Sequence, residues 1–414
     1  MTHTIDHVPF VSVLIPCKNS VRYLNLCVQS ILTQSLTNFE LLLVIPEDDP
    51  ETLHEAERLR TSDTRIRILI TPANFGLSEA LNFGVKHSTA PLIARMDSDD
   101  WSTPNRLESQ YNYLQRNSEI GIVGTNIKTF GPIREEWRMP NHHNYIQAGM
   151  LFRSTLLHPT VMFRKSLFTN DNLRYIASAK NIPEDLDLWI RASRVTKTAN
   201  LNNFCVLYRI HNSEAGKKKE IMWKNLQLLV IMQLQELGIE FTKREIDLHM
   251  ACVHNISLTK QLELNELENW FLKIRLQNEI NPIFNEKALK DTLMHELLIQ
   301  YKNVHPVPSS IDNINPKGKY YAGLLRKTLI SILLRTLSVK QISTLRDFNR
   351  KMHLREMRHK YFHSRIIVRK IRTYGFFHVY REFTDQIIVR LRLFALKNFP
   401  TPIINWIRKA KNGF

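Results

Sequence analysis

The front half of the chain alternates short apolar runs with amphipathic stretches. Val11-Ser12-Val13-Leu14-Ile15 is a β-rich run halted by Pro16, and Phe39-Glu40-Leu41-Leu42-Leu43-Val44-Ile45 is another, halted by Pro46. Ile66-Arg67-Ile68-Leu69-Ile70 is a third, and a fourth runs through Leu92-Ile93-Ala94-Arg95-Met96 into Asp97. Helical patterns over residues 20–34, 51–60 and 79–86 fall between them, the first with Leu24, Val28, Ile31 and Leu32 inward. Strands alternating with helices predict an α/β fold with a parallel, doubly wound sheet. Further strands are expected over 120–124, 157–163 and 204–211. A helix is expected to open at Pro183-Glu184-Asp185, its Leu186, Trp189, Ile190 and Ser193 sharing one face.

From about Glu220 the strand signal gives way to helices. One spans 222–237 and stops at Gly238, the next opens on the Thr242-Lys243-Arg244-Glu245 capping box, and a third starts at Asn265 and carries Trp270 and Phe271 into a core. His305-Pro306-Val307-Pro308 opens a linker that runs through Asn315-Pro316-Lys317-Gly318. Basic helices follow, with Val389-Arg390-Leu391-Arg392-Leu393 left open between helix and strand. The expected division is a catalytic-type domain over 1–215, a helical extension over 216–304 packed on it, a linker over 305–318, and a basic region over 319–414.

Charge sharpens that division. The net charge of +18 is held entirely by residues 301–414, which carry 24 Lys and Arg against 5 Asp and Glu. Such asymmetry fits a polyanionic partner for the tail alone: an anionic membrane surface, a phosphorylated glycan or a lipid pyrophosphate. A solvated basic face fits as well. Nucleic acid is disfavoured, because no reading module is evident. Four cysteines without Cys-x-x-Cys spacing argue for free thiols in a reducing cytoplasm and against structural zinc. No uninterrupted apolar window approaches the roughly 18 residues of a spanning helix, so a cytoplasmic protein is expected, one that can be peripheral at the inner face of the membrane.

The chemistry-bearing stretch is Asp97-Ser98-Asp99-Asp100-Trp101, three carboxylates at the end of an apolar strand. In an open α/β sheet that edge is the ligand crevice; the competing reading is an acidic turn capping the next helix. No Gly-x-Gly-x-x-Gly follows Ile15 and no Gly-x-x-x-x-Gly-Lys-Ser/Thr run exists, which excludes the dinucleotide fingerprint and the P-loop. Glu184 and Asp185 would project from a helix start, where capping alone is again the plain alternative, and His211 closes a strand.

Taken together, these pieces resemble the family 2 glycosyltransferases. The resemblance is carried, in order, by Val11-Ser12-Val13-Leu14-Ile15-Pro16-Cys17-Lys18-Asn19 and by Asn74-Phe75-Gly76-Leu77-Ser78-Glu79-Ala80-Leu81-Asn82-Phe83-Gly84. Met96-Asp97-Ser98-Asp99-Asp100-Trp101, His158-Pro159-Thr160-Val161-Met162, Glu184-Asp185-Leu186-Asp187-Leu188-Trp189 and Tyr208-Arg209-Ile210-His211 complete it. It implies a GT-A, Rossmann-like, mixed and mainly parallel sheet followed by a helical C-terminal region. It implies inverting transfer from a nucleotide-sugar to a hydroxyl of a glycan or lipid-linked acceptor in cell-surface polysaccharide synthesis, with Mg²⁺ or Mn²⁺ as cofactor.

The matched positions imply Asp185 as base, with Glu184 the alternative, and Asp99 and His211 at the metal. Pro16, Cys17, Asn19, Asn74, Asn82, Asp97 and Ser98 fall on the donor side. Where the family usually has Asp-Asp-Gly-Ser after its second strand, this chain has Pro46-Glu47-Asp48-Asp49-Pro50, so Glu47 or Asp48 is expected to replace the base-reading acid. Two other functions also combine a sheet with such acids: a metal-dependent sugar nucleotidyltransferase, and a non-catalytic nucleotide-binding basic adaptor.

Overall fold

Apolar runs stopped by proline, or by the acidic turn, become strands because both of their faces are covered. β1 (Val11–Pro16), β2 (Phe39–Pro46), β3 (Ile66–Thr71) and β4 (Leu92–Arg95) form a parallel block in the order β3-β2-β1-β4, with Val13 opposite both Leu41 and Ala94. Alternate residues of β1 point to different cores. Val11, Val13 and Ile15 join α1 (Val21–Leu32), α2 (Pro50–Arg60) and α4 (Arg106–Arg116). Leu14 instead joins Leu42, Val44 and α3 (Leu77–His87) on the other face.

The computed structural model describes residues 8–176, 183–211 and 217–304. All of them lie in one compact unit, Met1–Val304. The linker expected over 305–318, the basic region expected over 319–414, and residues 177–182 lie outside the described residues.

Beyond β4 the sheet becomes mixed. β5 (Trp101–Ser102), β6 (Ile120–Phe130), β7 (Glu136–Trp137), β8 (Met162–Arg164) and β9 (Lys197–Arg209) extend it to nine strands, in the path β3-β2-β1-β4-β8-β6-β9-β5 with β7 beside β6. β8 runs antiparallel between β4 and β6, whereas β6 and β9 are parallel. α5 (His143–Gly149), α6 (Ser166–Thr169) and α7 (Glu184–Val195) cover this half; Leu186, Leu188 and Trp189 of α7 are buried in the second core.

Several elements differ from expectation. The strand expected over 157–163 is a 3-10 turn, His158–Thr160, followed by the short β8. Pro159 lacks an N–H and fixes φ, which suits a turn and not a ladder. β9 starts at Lys197, well before the apolar run that suggested it, because its first half contains Asn200, Asn202 and Asn203. α10 (Gln261–Ile280) opens a turn earlier than Asn265.

α8 (Lys217–Glu236), α9 (Lys243–Val253), α10 and α11 (Glu286–Val304) form the helical part, with Gly238 at φ +77° after α8 and a complete capping box at Thr242. They pack on α5 and the segment behind it. Tyr145 donates to Asp291 at 2.9 Å and Arg153 to Glu296 at 2.7 Å. His249 is buried, stacked on Phe152 with ring centroids 4.6 Å apart, and burial pushes its pKa down to about 4. Trp270 donates its indole N–H to His249 Nδ1, so the neutral ring carries its proton on Nε2 and donates to the Leu151 carbonyl at 2.8 Å. Among the described residues no helix is long and apolar enough to cross a membrane.

Gly84 sets how closely α3 approaches the sheet. A Cβ there would collide with Leu14 Cδ1 and stand 3.1 Å from Val44 Cγ2. Gly84→Ala would gain helix propensity of about 1 kcal/mol, but over-packing of a dense core costs roughly 1–3 kcal/mol. Overlap with a fully buried leucine makes the cost the larger effect. Chemical denaturation should show a net loss of up to about 2 kcal/mol, and Gly84→Ala should cost less in a Leu14→Ala background than in the native chain.

Candidate active site

The site forms where β4 leaves the sheet. Met96 still donates its N–H to the Leu14 carbonyl at 3.2 Å, after which Asp97, Ser98 and Asp99 emerge half-buried at the carboxyl edge. Each is held differently. Asp97 Oδ1 accepts from Arg95 Nη2 at 2.7 Å, Ser98 Oγ lies 2.7 Å from Ser20 Oγ at the start of α1, and Asp99 Oδ2 lies 2.6 Å from His211 Nε2. β9 therefore brings His211 to the acids across the sheet.

Arg209, which no sequence reading singled out, straps the acidic turn to β9. Its Nε donates to the Asp99 carbonyl at 3.0 Å, its backbone N–H donates to Asp100 Oδ1 at 2.9 Å, and its guanidinium lies between the Tyr23 ring (4.0 Å) and the Phe130 ring (4.4 Å). These contacts correct the capping reading of Asp100. α4 begins after Asn105, and Asp100 is buried beneath the strap. Burial, and then the neighbouring Asp97, push its carboxyl well above the usual range.

The turn after β1 supplies the opposite wall. Asn19 has φ +54°, a left-handed conformation that asparagine tolerates. Its N–H donates to Asp49 Oδ2 at 2.6 Å, while Asp49 Oδ1 accepts from Thr52 N–H at 3.2 Å and caps α2. Burial acts to raise the Asp49 carboxyl, but these hydrogen bonds outweigh it and hold it low. Asp49 is thus structural, and the exposed acids of this stretch are Glu47 and Asp48. Glu47 accepts from Ala73 N–H at 3.2 Å and Asp48 faces Lys18 at 3.8 Å. Pro16 is partly exposed at the end of β1, and Asn74 is exposed next to Ala73.

Two expected donor contacts point elsewhere. Cys17 is buried, its thiol donates to the Ile15 carbonyl at 3.4 Å, and burial pushes it far up, so it stays neutral with its side chain turned inward. Asn82 uses both ends of its amide on one backbone unit, donating to the Tyr175 carbonyl at 2.7 Å and accepting from Tyr175 N–H at 3.0 Å. It pins the segment that leads towards α7.

Glu184 and Asp185 occupy the first turn of α7 and are partly exposed. Burial, and then the charge of Glu184, raise the Asp185 carboxyl to about 6. Behind them, His158 Nε2 meets the Tyr175 hydroxyl at 3.2 Å, and His158 Nδ1 lies 4.0 Å from Glu184 Oε1. Burial, and then the charge of Arg95, hold His158 far below its ordinary pKa, so that last contact is not an ion pair. A strand-end His-Pro gave no hint of this buried, neutral role.

The Glycosyl transferase family 2 model matches residues 12–174, from β1 to the segment pinned by Asn82. The O-antigen biosynthesis glycosyltransferase WbnJ of Escherichia coli is 34% identical over 214 residues, covering 50% of this chain and 82% of the relative. The chain belongs to glycosyl transferase family 2. An uncharacterized glycosyltransferase of Haemophilus influenzae is 27% identical over 271 residues, covering 61% of this chain and 80% of that protein. Among solved structures, S. aureus TarS 1-349 in complex with UDP-GlcNAc aligns with a TM-score of 0.47 at 15% identity, covering 70% of this chain and 90% of that one.

As a family 2 member the protein is a glycosyltransferase, and the nucleotidyltransferase and adaptor readings fall away. The family's divalent ion fits the donor set at β4 and β9. Asp99 offers the hard carboxylate oxygen that suits Mg²⁺ or Mn²⁺, and His211, 2.6 Å from it, would add an imidazole nitrogen, a ligand that Mg²⁺ does not favour. Among the described residues no group of three or more His, Cys, Asp or Glu gathers for a metal. An ion held there would take the rest of its shell from substrate phosphate and water, as Mg²⁺ commonly does.

Proposed function

We propose that this family 2 glycosyltransferase transfers a sugar from a nucleotide-sugar to a hydroxyl of a glycan or lipid-linked acceptor, with inversion at the anomeric carbon. One observation carries the reading: the structure has two acid centres with different surroundings. Asp99 is paired with His211 at the strand ends, whereas Asp185 opens α7 with its carboxyl raised to about 6. The similarity to an O-antigen biosynthesis enzyme supports a surface glycan as the product.

In this reading Pro16, Asn19 and the exposed Glu47 and Asp48 face the nucleoside, and Asp97, with Ser98, holds the ribose. Asp99 and His211 would hold Mg²⁺ or Mn²⁺, which as a Lewis acid stabilises charge on the diphosphate leaving group. Asp185 accepts the proton of the acceptor hydroxyl as its oxygen bonds to the anomeric carbon. The bond from that carbon to the diphosphate oxygen breaks on the opposite side, its electron pair leaving with the nucleoside diphosphate. A single in-line displacement of this kind inverts the anomeric centre. Residues 1–215 serve as the catalytic domain, and residues 216–304, packed behind Met150 and Phe152, bound its acceptor side.

Because the base must be ionised, kcat/KM should fall about tenfold per pH unit below about pH 6 and level off above it. The reading is tested by screening UDP-, GDP- and dTDP-sugars for binding with and without Mn²⁺ or Mg²⁺. One donor class should bind more tightly with the ion. A chain that binds no nucleotide-sugar under either condition contradicts the assignment.

A further inference from the structure

The acidic turn after β4 has little of its own to hold it. Its internal hydrogen bond, from Asp100 N–H to the Asp97 carbonyl, is long at 3.4 Å. A stronger tie comes from β9. Arg209 donates its side-chain Nε to the Asp99 carbonyl at 3.0 Å and its backbone N–H to Asp100 Oδ1 at 2.9 Å, so one residue holds two consecutive residues of the turn. The guanidinium is itself held, 4.0 Å from the Tyr23 ring of α1 and 4.4 Å from the Phe130 ring of β6. Phe130 stands opposite Arg209 in the β6–β9 register, and its carbonyl accepts from Ile210 N–H at 2.9 Å, which keeps that wall in place. The Tyr23 ring also lies beside the His211 ring, with centroids 5.8 Å apart. Asp99 and His211, 2.6 Å from each other, are therefore reached by one clamp.

We propose that Arg209 is a positioning residue for the proposed metal site: clamped between Tyr23 and Phe130, it fixes the main chain of Asp99 so that the Asp99 carboxylate stays against His211.

Charge alone would make arginine a poor choice at this place. A guanidinium beside a cation site repels the ion that Asp99 and His211 would hold. The half-buried side chain belongs to neither hydrophobic core, so packing does not account for it either. Its hydrogen bonds to the turn do. Charge and positioning also predict opposite signs: losing a nearby positive charge tightens the binding of a divalent ion, whereas losing the tie on Asp99 weakens it.

That difference in sign is the test. In the full-length protein without nucleotide, Mn²⁺ binding followed by EPR should weaken about tenfold in Arg209→Met, the lower end of the effect typical for residues that orient metal ligands. Unchanged or tighter binding by a folded Arg209→Met protein overturns the proposal. A second readout needs no metal. With ¹⁵N-labelled histidine, the His211 ring signals are assigned by their loss in His211→Ala and report the hydrogen bonding of the ring. In Arg209→Met they should move most of the way to their positions in Asp99→Ala, and native-like signals in the folded variant overturn the proposal. Tyr23→Leu covers the case in which Arg209→Met does not fold, since it removes one wall of the clamp from a half-buried position on α1. Both readouts should then change in the same direction by a smaller amount, and no change in either overturns the proposal. Only the first readout rests on the reading of Asp99 and His211 as metal ligands. A native chain that binds no Mn²⁺, with His211 signals that move as stated, would remove the metal reading and leave the clamp intact.

Discussion

Asp185→Asn is expected to lower kcat about a thousandfold while donor affinity stays within about twofold of the native value, since a positioned base contributes roughly 10²–10⁴ and donor contacts lie elsewhere. Asparagine keeps the shape of the side chain and removes its capacity to accept a proton at neutral pH. The α7 packing that holds it, through Leu186, Leu188 and Trp189, is untouched. Stability should not fall with activity. Burial raises the folded-state pKa of Asp185 from the ordinary 3.8 to about 6, so the ionised carboxylate is disfavoured in the fold. That destabilisation grows as pH rises through this window and is complete above it. At neutral pH the asparagine variant should unfold at the same temperature as the native chain or a higher one. Steady-state kinetics, donor titration and thermal melts of one preparation check all three statements.

Asp99→Asn should lower kcat/KM by about 10²–10³, the usual range for losing a group that stabilises developing charge. Asparagine can keep a hydrogen bond to His211, where the native distance is 2.6 Å, so the geometry should survive while the charge is lost. The Arg209 strap acts on the Asp99 carbonyl, not on its carboxylate, and should also survive. The loss should appear in both the donor KM and the apparent affinity for Mn²⁺ or Mg²⁺. In the proposed metal site Asp99 and His211, 2.6 Å apart, would act as a unit, so adding His211→Ala to Asp99→Asn should cost far less than His211→Ala alone. Additive losses would show that the two residues work separately.

The parallel block was legible because its strands are covered on both faces and end at proline or acid, as Val13 and Leu14 show by entering different cores. α4 gave no such signal, because part of its buried face is polar. Arg106 donates to the Arg95 carbonyl at 2.7 Å, and Gln110 donates to the carbonyls of Val123 and Thr160 at 2.9 and 2.8 Å. The start of β9 was hidden for the same reason. Asn200 is buried there and donates to the carbonyls of Pro140 and Thr155.

In the site, the acids at the end of β4 and His211 could be read as chemistry, since carboxylates at a strand end need a partner. Their partners could not be read. Arg209, Arg95 and Tyr23 come from three elements, and their roles depend on strand order. Asn82 and Cys17 matched a family pattern, yet the fold directs one to a backbone unit and the other inward. Asp49 shows the limit of spacing most plainly. Of three adjacent acids, the one that caps α2 is structural, and only Glu47 and Asp48 stay exposed.

The central claim is that Asp185 takes the acceptor's proton. Single-turnover transfer from about pH 4.5 to about pH 8, in the native chain and in Asp185→Asn, tests it most directly. The native rate should climb with unit slope to a plateau above about pH 6, and the variant should be slow with no acid limb. A variant that keeps the native acid limb, at whatever rate, would place the base at another residue and contradict the account.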